Sequence, residues 1–219
     1  ANVWTGDVGS SWESFRAQIP AGLNFNLTGM PHWNTDLGGF FCAKYNGPGY
    51  KAAQNPLYQE LYVRWLQFGV FCPMMRSHGA DAPREIWQFG EPDTPVYEAI
   101  AKSIRQRYSL IPYIYSTSWQ VTHRQGSFMR ALAMDFPEDK QAWDLNNEYM
   151  FGDAFLVCPV THAQYTPEVA GHIDAMEGWN RVDNSDQQKG TAVDFSSPQC
   201  IKVYLPAGAQ WYDWYSGRP

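Results

Sequence analysis

The chain has 219 residues, 44% of them hydrophobic and 17% charged, a balance that excludes a disordered polypeptide. Its length allows one domain plus part of a second. A net charge of −6 and a pI near 5.3, with no clustered basic patch, exclude a nucleic-acid partner, and no apolar run approaches the roughly 18 residues of a membrane span.

Val3-Trp4 reads as the end of a strand that runs straight into the turn Thr5-Gly6-Asp7, so the chain is expected to start inside a domain. Trp12, Phe15, Ile19 and Leu23 fall near helical spacing, with Pro20 expected to break the later turns. Asn24 to Leu37 contains strand-like pieces that end in the paired glycines Gly38-Gly39, a tight-turn signal. From Pro56 to Phe68 the apolar residues return at three-and-four spacing, and Gly69 is placed to cap that helix. Val70 to Met75 is a continuous apolar run of the kind a buried parallel strand carries. Thr94 and Pro95 then suit an N-cap and first helical position for a long helix with apolar positions Val96, Ile100, Ile104 and Tyr108, divided or kinked at Pro112.

Three strand-then-helix units in succession imply an α/β fold with a parallel sheet. Beyond about Asp135 the texture changes to short strand candidates, Phe155 to Val160 and Cys200 to Leu205, and this region reads as all-β, with a boundary between 136 and 150. The stretch from Gly171 to Pro198 shows no clear pattern. Cys42, Cys72, Cys158 and Cys200 are too widely spaced for a metal or disulfide motif, which makes free buried thiols the expectation.

In parallel α/β folds the reactive groups gather on loops at the carboxyl ends of strands. That rule selects Asp7, Asp36, and Arg76 with His78, on three successive loops. A lone acid after a strand is more often a helix cap, so position alone does not assign a role. The five histidines form no HExxH or zinc-like pair, the GxSxG elbow of Ser hydrolases is missing, and neither phosphate-binding glycine motif occurs. Carboxylate chemistry is what these exclusions leave. The 10 Trp, 13 Tyr and 12 Phe serve either a large core or a cleft that stacks on flat ligand faces.

Three segments, Trp4-Thr5-Gly6-Asp7, Thr28-Gly29-Met30-Pro31-His32-Trp33-Asn34-Thr35-Asp36-Leu37-Gly38-Gly39-Phe40 and Phe71-Cys72-Pro73-Met74-Met75-Arg76-Ser77-His78-Gly79, resemble consecutive motifs of family 31 glycoside hydrolases. Arg107 to Tyr115 resembles the last barrel helix of that family. Tyr149 to Gly152, Pro159-Val160 and Val203 to Asp213 resemble parts of its following β-sandwich. The resemblance covers the chain except roughly 163 to 195. It implies the C-terminal portion of a (β/α)8 TIM barrel at 1–140 and the proximal C-terminal β-sandwich at 141–219.

The same resemblance implies site roles. Asp7 is the general acid/base, Trp4 and Phe40 wall the sugar subsite, Asp36 holds the network beneath them, and Arg76 and His78 contact or position sugar hydroxyls. No cofactor or metal is implied. The expected substrate is an α-linked oligosaccharide from which a terminal non-reducing sugar leaves by double displacement. Arg76-Ser77-His78-Gly79 followed by Pro83-Arg84-Glu85-Ile86-Trp87 looks closer to the α-xylosidase members, acting on xyloglucan-type oligosaccharides, than to the α-glucosidases. Retaining glycosidases need two carboxylates, and the Trp/Asp-rich motif that carries the family's nucleophile is not in this sequence. The isolated chain is therefore expected to be inactive and to associate with the rest of the barrel or with itself. A non-catalytic carbohydrate-binding fragment is the competing reading.

Overall fold

The computed structural model describes residues 2–46, 49, 51–168 and 193–219; most of the unpatterned stretch from Gly171 to Pro198 lies outside them. Strand β1 (Val3–Trp4) pairs in parallel with β2 (Trp33–Asn34), with Val3 opposite Trp33 and Trp4 opposite Asn34. The crossover between them is α1 (Trp12–Leu27). Ser11 caps this helix by accepting the Ser14 N–H, and Trp12, Phe15, Ile19 and Leu23 carry its buried stripe. Pro20 does not break it: the helix continues to Leu27, so Asn24–Leu27 is its last turn rather than a strand. The apolar stripe holds the helix across the missing Pro20 N–H, because packing on both sides outweighs one lost hydrogen bond.

Helix α2 (Pro56–Gly69) starts at an Asn55 cap. Gly69 ends it without serving as a left-handed cap; a Cβ at this position would lie 2.5 Å from the Leu37 side chain, so close approach fixes the residue. The expected third strand, Val70–Met75, does not form. Its carbonyls are committed elsewhere: Arg107 donates to the oxygens of Val70, Cys72 and Pro73 at 2.6 to 2.9 Å, and Pro73 has no N–H for a ladder. The segment nevertheless runs beside β2, since Met74 N–H donates to Trp33 and Leu37 N–H to Arg76. No closed barrel is formed among the described residues.

The long helix divides as expected, into α3 (Pro95–Ser109) and α4 (Ile111–Arg124), with Pro112 in the first turn of the second. Thr94 precedes α3 but its hydroxyl donates to the Glu91 carbonyl instead of capping. Val96 and Ile100 are buried, whereas Ile104 and Tyr108 lie exposed beside an apolar groove.

An antiparallel meander follows, of β3 (Met129–Ala131), β4 (Tyr149–Phe151) and β5 (Phe155–Val157). Its two faces separate with the period of two that strands impose. Tyr149, Phe151 and Val157 join the main core, while Met150 packs with Leu132 and Ala142 in a second, small cluster bordered by Tyr204 and Trp211. Cys200–Leu205 forms no strand. This segment is held instead by side chains: Glu148 accepts the Tyr204 N–H, and Asp139 accepts the Tyr204 hydroxyl and the Ala207 N–H.

The two regions are joined by a buried carboxylate. Glu60, on α2 and 3% exposed, accepts the backbone N–H groups of Gln164, Tyr165 and Thr166 and the Thr166 hydroxyl at 2.6 to 3.1 Å. Removing it leaves these donors unpaired. Glu60→Ala is expected to destabilise the fold by about 3 kcal/mol, measured as a lower midpoint in urea unfolding; a change below about 0.5 kcal/mol, the scale of ordinary surface substitutions, contradicts this account.

Candidate active site

The site is built on the loops that leave β1 and β2. Beyond β1 the chain stays beside the second loop: Val8 accepts the N–H groups of Phe40 and Phe41, and Ser10 N–H donates to Phe41. Ser10 Oγ donates to the Gly38 carbonyl at 2.5 Å. Gly38 and Gly39 have φ of +86° and +80°, and a Cβ on Gly39 would sit 2.6 Å from Ser10 Oγ. Both conditions require glycine, the first through its freedom at positive φ and the second through space. This double turn lets Phe40 emerge beside Val8.

Asp36 is fully buried at the end of β2 and forms an ion pair with Arg76 at 2.5 Å. Phe40 is half-buried, and its ring lies 5.5 Å from the exposed His78 imidazole. Asp7 is exposed, one residue before the Val8 carbonyl that holds Phe40, and carries no hydrogen bond or ion pair with the described residues. Trp4 is 49% exposed on β1. Asp36–Arg76 and Phe40–His78 are thus brought into contact. Asp7 and Trp4 border them through the backbone, without side-chain contact.

Several polar atoms here are buried without a hydrogen-bond partner among the described residues: Trp33 Nε1, Asn34 Nδ2, Thr35 Oγ1, Asp36 Oδ2 and Arg76 Nε. They belong to four consecutive residues at the end of β2 and to the arginine above them. Buried unpaired groups are costly, and this cluster concentrates them at the sheet's carboxyl end.

Two residues that sequence reasoning did not select hold the loops together. Arg84 uses every donor of its guanidinium: Nε to Tyr58 Oη, Nη1 to the carbonyls of Ala80 and Ala82, and Nη2 to those of Gly39 and Phe40, at 2.9 to 3.2 Å. Asp81, at φ +72°, accepts the N–H groups of Cys42 and Ala43 at 3.1 Å. Asp81 lies in a glycine- and proline-bearing loop that alone marks nothing, and Arg84 was legible only within Pro83 to Trp87, a segment that bore on the choice of sugar and not on the loops it holds. Burial pushes the nearby Cys42 thiol up to about 11, against the lowering pull of Arg84.

The glycosyl hydrolases family 31 TIM-barrel domain matches residues 1–117, and the glycosyl hydrolase family 31 C-terminal domain matches 125–200. The chain belongs to glycoside hydrolase family 31. An α-xylosidase of Saccharolobus solfataricus is 38% identical over 98% of this chain and 23% of its own length. The mouse lysosomal α-glucosidase is 32% identical over 96% of the chain and 21% of its own length. The crystal structure of a family 31 α-xylosidase from Xanthomonas citri superposes with a TM-score of 0.67 at 44% identity, covering 74% of this chain and 17% of that one. The chain therefore spans less than a quarter of the length of these relatives.

All four cysteines are free, but only Cys42 and Cys72 are buried; Cys158 is partly covered and Cys200 exposed. Burial raises the thiols of Cys42, Cys72 and Cys158, the last to about 12. A raised value keeps each protonated at pH 8, and the protonated thiol is unreactive. Iodoacetamide at that pH is expected to label Cys200 and spare the other three in the folded chain, as read by peptide mass mapping. Labelling of Cys42 at the rate of Cys200 contradicts the closed loop geometry.

Proposed function

We propose that the protein carrying this chain is a retaining α-glycosidase in which Asp7 is the general acid/base. The observation that carries the reading is the placement of Asp7: an exposed carboxylate on the loop after β1, tied through Val8 to the Phe40 and His78 wall. In the first step the Asp7 carboxyl donates its proton to the departing glycosidic oxygen. In the second the carboxylate takes a proton from water as it attacks the covalent glycosyl-enzyme. The nucleophile is a second carboxylate, assigned by family resemblance to a motif outside this sequence.

The remaining candidates suit sugar recognition. The Phe40 face offers an apolar surface for the C–H side of a pyranose. The His78 imidazole and the Arg76 guanidinium offer directional hydrogen bonds to hydroxyls, with Asp36 fixing Arg76 from below. Trp4 closes the rim. We infer a terminal α-xylosyl residue of a xyloglucan-type oligosaccharide as substrate. The α-xylosidase relative and the α-xylosidase structure, at 38% and 44% identity, support that choice. An α-glucoside is the alternative, supported by the lysosomal α-glucosidase at 32%.

The test is kinetic and uses the full-length protein. Asp7→Asn is expected to lower kcat/KM on an α-xyloside with an unactivated leaving group by about 10²- to 10⁴-fold; on an α-xyloside with an activated aryl leaving group, azide is expected to restore part of the lost kcat and to give an α-xylosyl azide product. An unchanged rate for Asp7→Asn refutes the acid/base role. Absence of glycoside turnover with retained oligosaccharide binding favours a carbohydrate-binding role. The ratio of kcat/KM on α-xylosides to that on α-glucosides decides the sugar: a ratio below one overturns the xylose assignment.

A further inference from the structure

The Phe40–His78 pair stands on two loops that share no regular secondary structure with each other. Phe40 follows β2, and His78 follows the irregular segment beside it. What sets their separation lies one layer below. Arg84 reaches under both loops, donating to the Gly39 and Phe40 carbonyls on one side and the Ala80 and Ala82 carbonyls on the other, while its Nε donates to the buried Tyr58 hydroxyl. The Ala80 N–H returns a bond to the Phe40 carbonyl at 2.9 Å. Asp81 completes the weld from the opposite direction: its carboxylate takes the N–H groups of Cys42 and Ala43, and its own carbonyl accepts the Asn46 amide at 2.8 Å. Asp81 does so at φ +72°, a left-handed backbone uncommon for a residue other than glycine.

A guanidinium with all five donors engaged cannot rotate without breaking several bonds at once, so it fixes the distance between the chains it joins. We propose that Arg84 and Asp81 form a clamp of positioning residues that sets the gap between Phe40 and His78 and thereby the fit of the terminal sugar. The clamp touches neither sugar nor reacting atoms. It acts through the Phe40 carbonyl and the Ala80–Ala82 turn, two residues from His78. The inference rests on the reading that Phe40 and His78 face the sugar. It adds that their spacing is maintained by a charged crosspiece rather than by the sheet.

Lysine keeps the charge of Arg84 but cannot reach five acceptors in one plane. Glycine at position 81 relieves the left-handed backbone while deleting the carboxylate. In the full-length enzyme, Arg84→Lys and Asp81→Gly are each expected to raise KM for an aryl α-xyloside, and the inhibition constant of free xylose with it, by about ten- to a hundredfold, the scale on which small misplacements act. The dependence of kcat on pH is expected to keep its shape, because neither Arg84 nor Asp81 bonds the Asp7 carboxylate. In a Phe40→Ala, His78→Ala background the same two substitutions are expected to have no further effect on KM. If Arg84→Lys and Asp81→Gly leave KM and xylose inhibition unaltered, or if their effects multiply with those of the wall variants as independent sites do, the clamp is refuted. If the wall variants themselves leave KM unchanged, the reading of Phe40 and His78 fails instead. Should Arg84→Lys not fold, Asp81→Gly carries the same test from the other side of the clamp.

Discussion

Trp33 is the point through which most of the molecule is tied. Its backbone pairs with Val3 on one side and accepts the Met74 N–H on the other, so one residue aligns three consecutive chain passes. Its indole is fully buried, set edge-on to Phe68 of α2 and pressed against α1 where Gly22 leaves no side chain; a Cβ there would lie 2.8 Å from the ring. Helices α1 and α2 therefore dock on the same ring. The residues after it, Asn34 to Asp36, inherit that placement, and the loops of the candidate site start from a rigid base.

Arginine side chains do for this chain part of what ladder hydrogen bonds do elsewhere. Arg107 collects the carbonyls of Val70, Cys72 and Pro73, and Arg84 those of Gly39, Phe40, Ala80 and Ala82. Irregular backbone buried in this way would be costly unpaired. A guanidinium satisfies several oxygens that point in different directions, which a neighbouring strand cannot. The chain can thus run alongside β2 and then turn sharply into the His78 loop without losing its hydrogen bonds.

The elements legible in the sequence were those with a long period or strong punctuation. The stripes of α1 and α2, the division near Pro112 and the Gly38-Gly39 turn all follow from local rules. Val70–Met75 misled because an apolar run reports burial rather than ladder bonding, and Arg107 lies more than thirty residues away. Pro20 misled because its local cost is outweighed by Phe15 and Ile19, whose burial is a tertiary fact. In the site, Asp36 and Arg76 were found from strand-end position together with family resemblance, and the structure joins them. Arg84 and Asp81 were not, since their importance lies in backbone carbonyls and N–H groups that no side-chain pattern encodes.

Glu60 gives the chain a direction in time. Its carboxylate on α2 is matched by three backbone N–H groups and a hydroxyl that lie 104 to 106 residues later. At roughly 10 residues per second, the ribosome delivers those partners about ten seconds after the helix that needs them. Through that interval the carboxylate keeps its hydration, and the face of α2 around it stays open to water. Pairing with residues 164–166 exchanges this shell for fixed donors, so burial of the Glu60 carboxylate cannot be complete before those residues have been made.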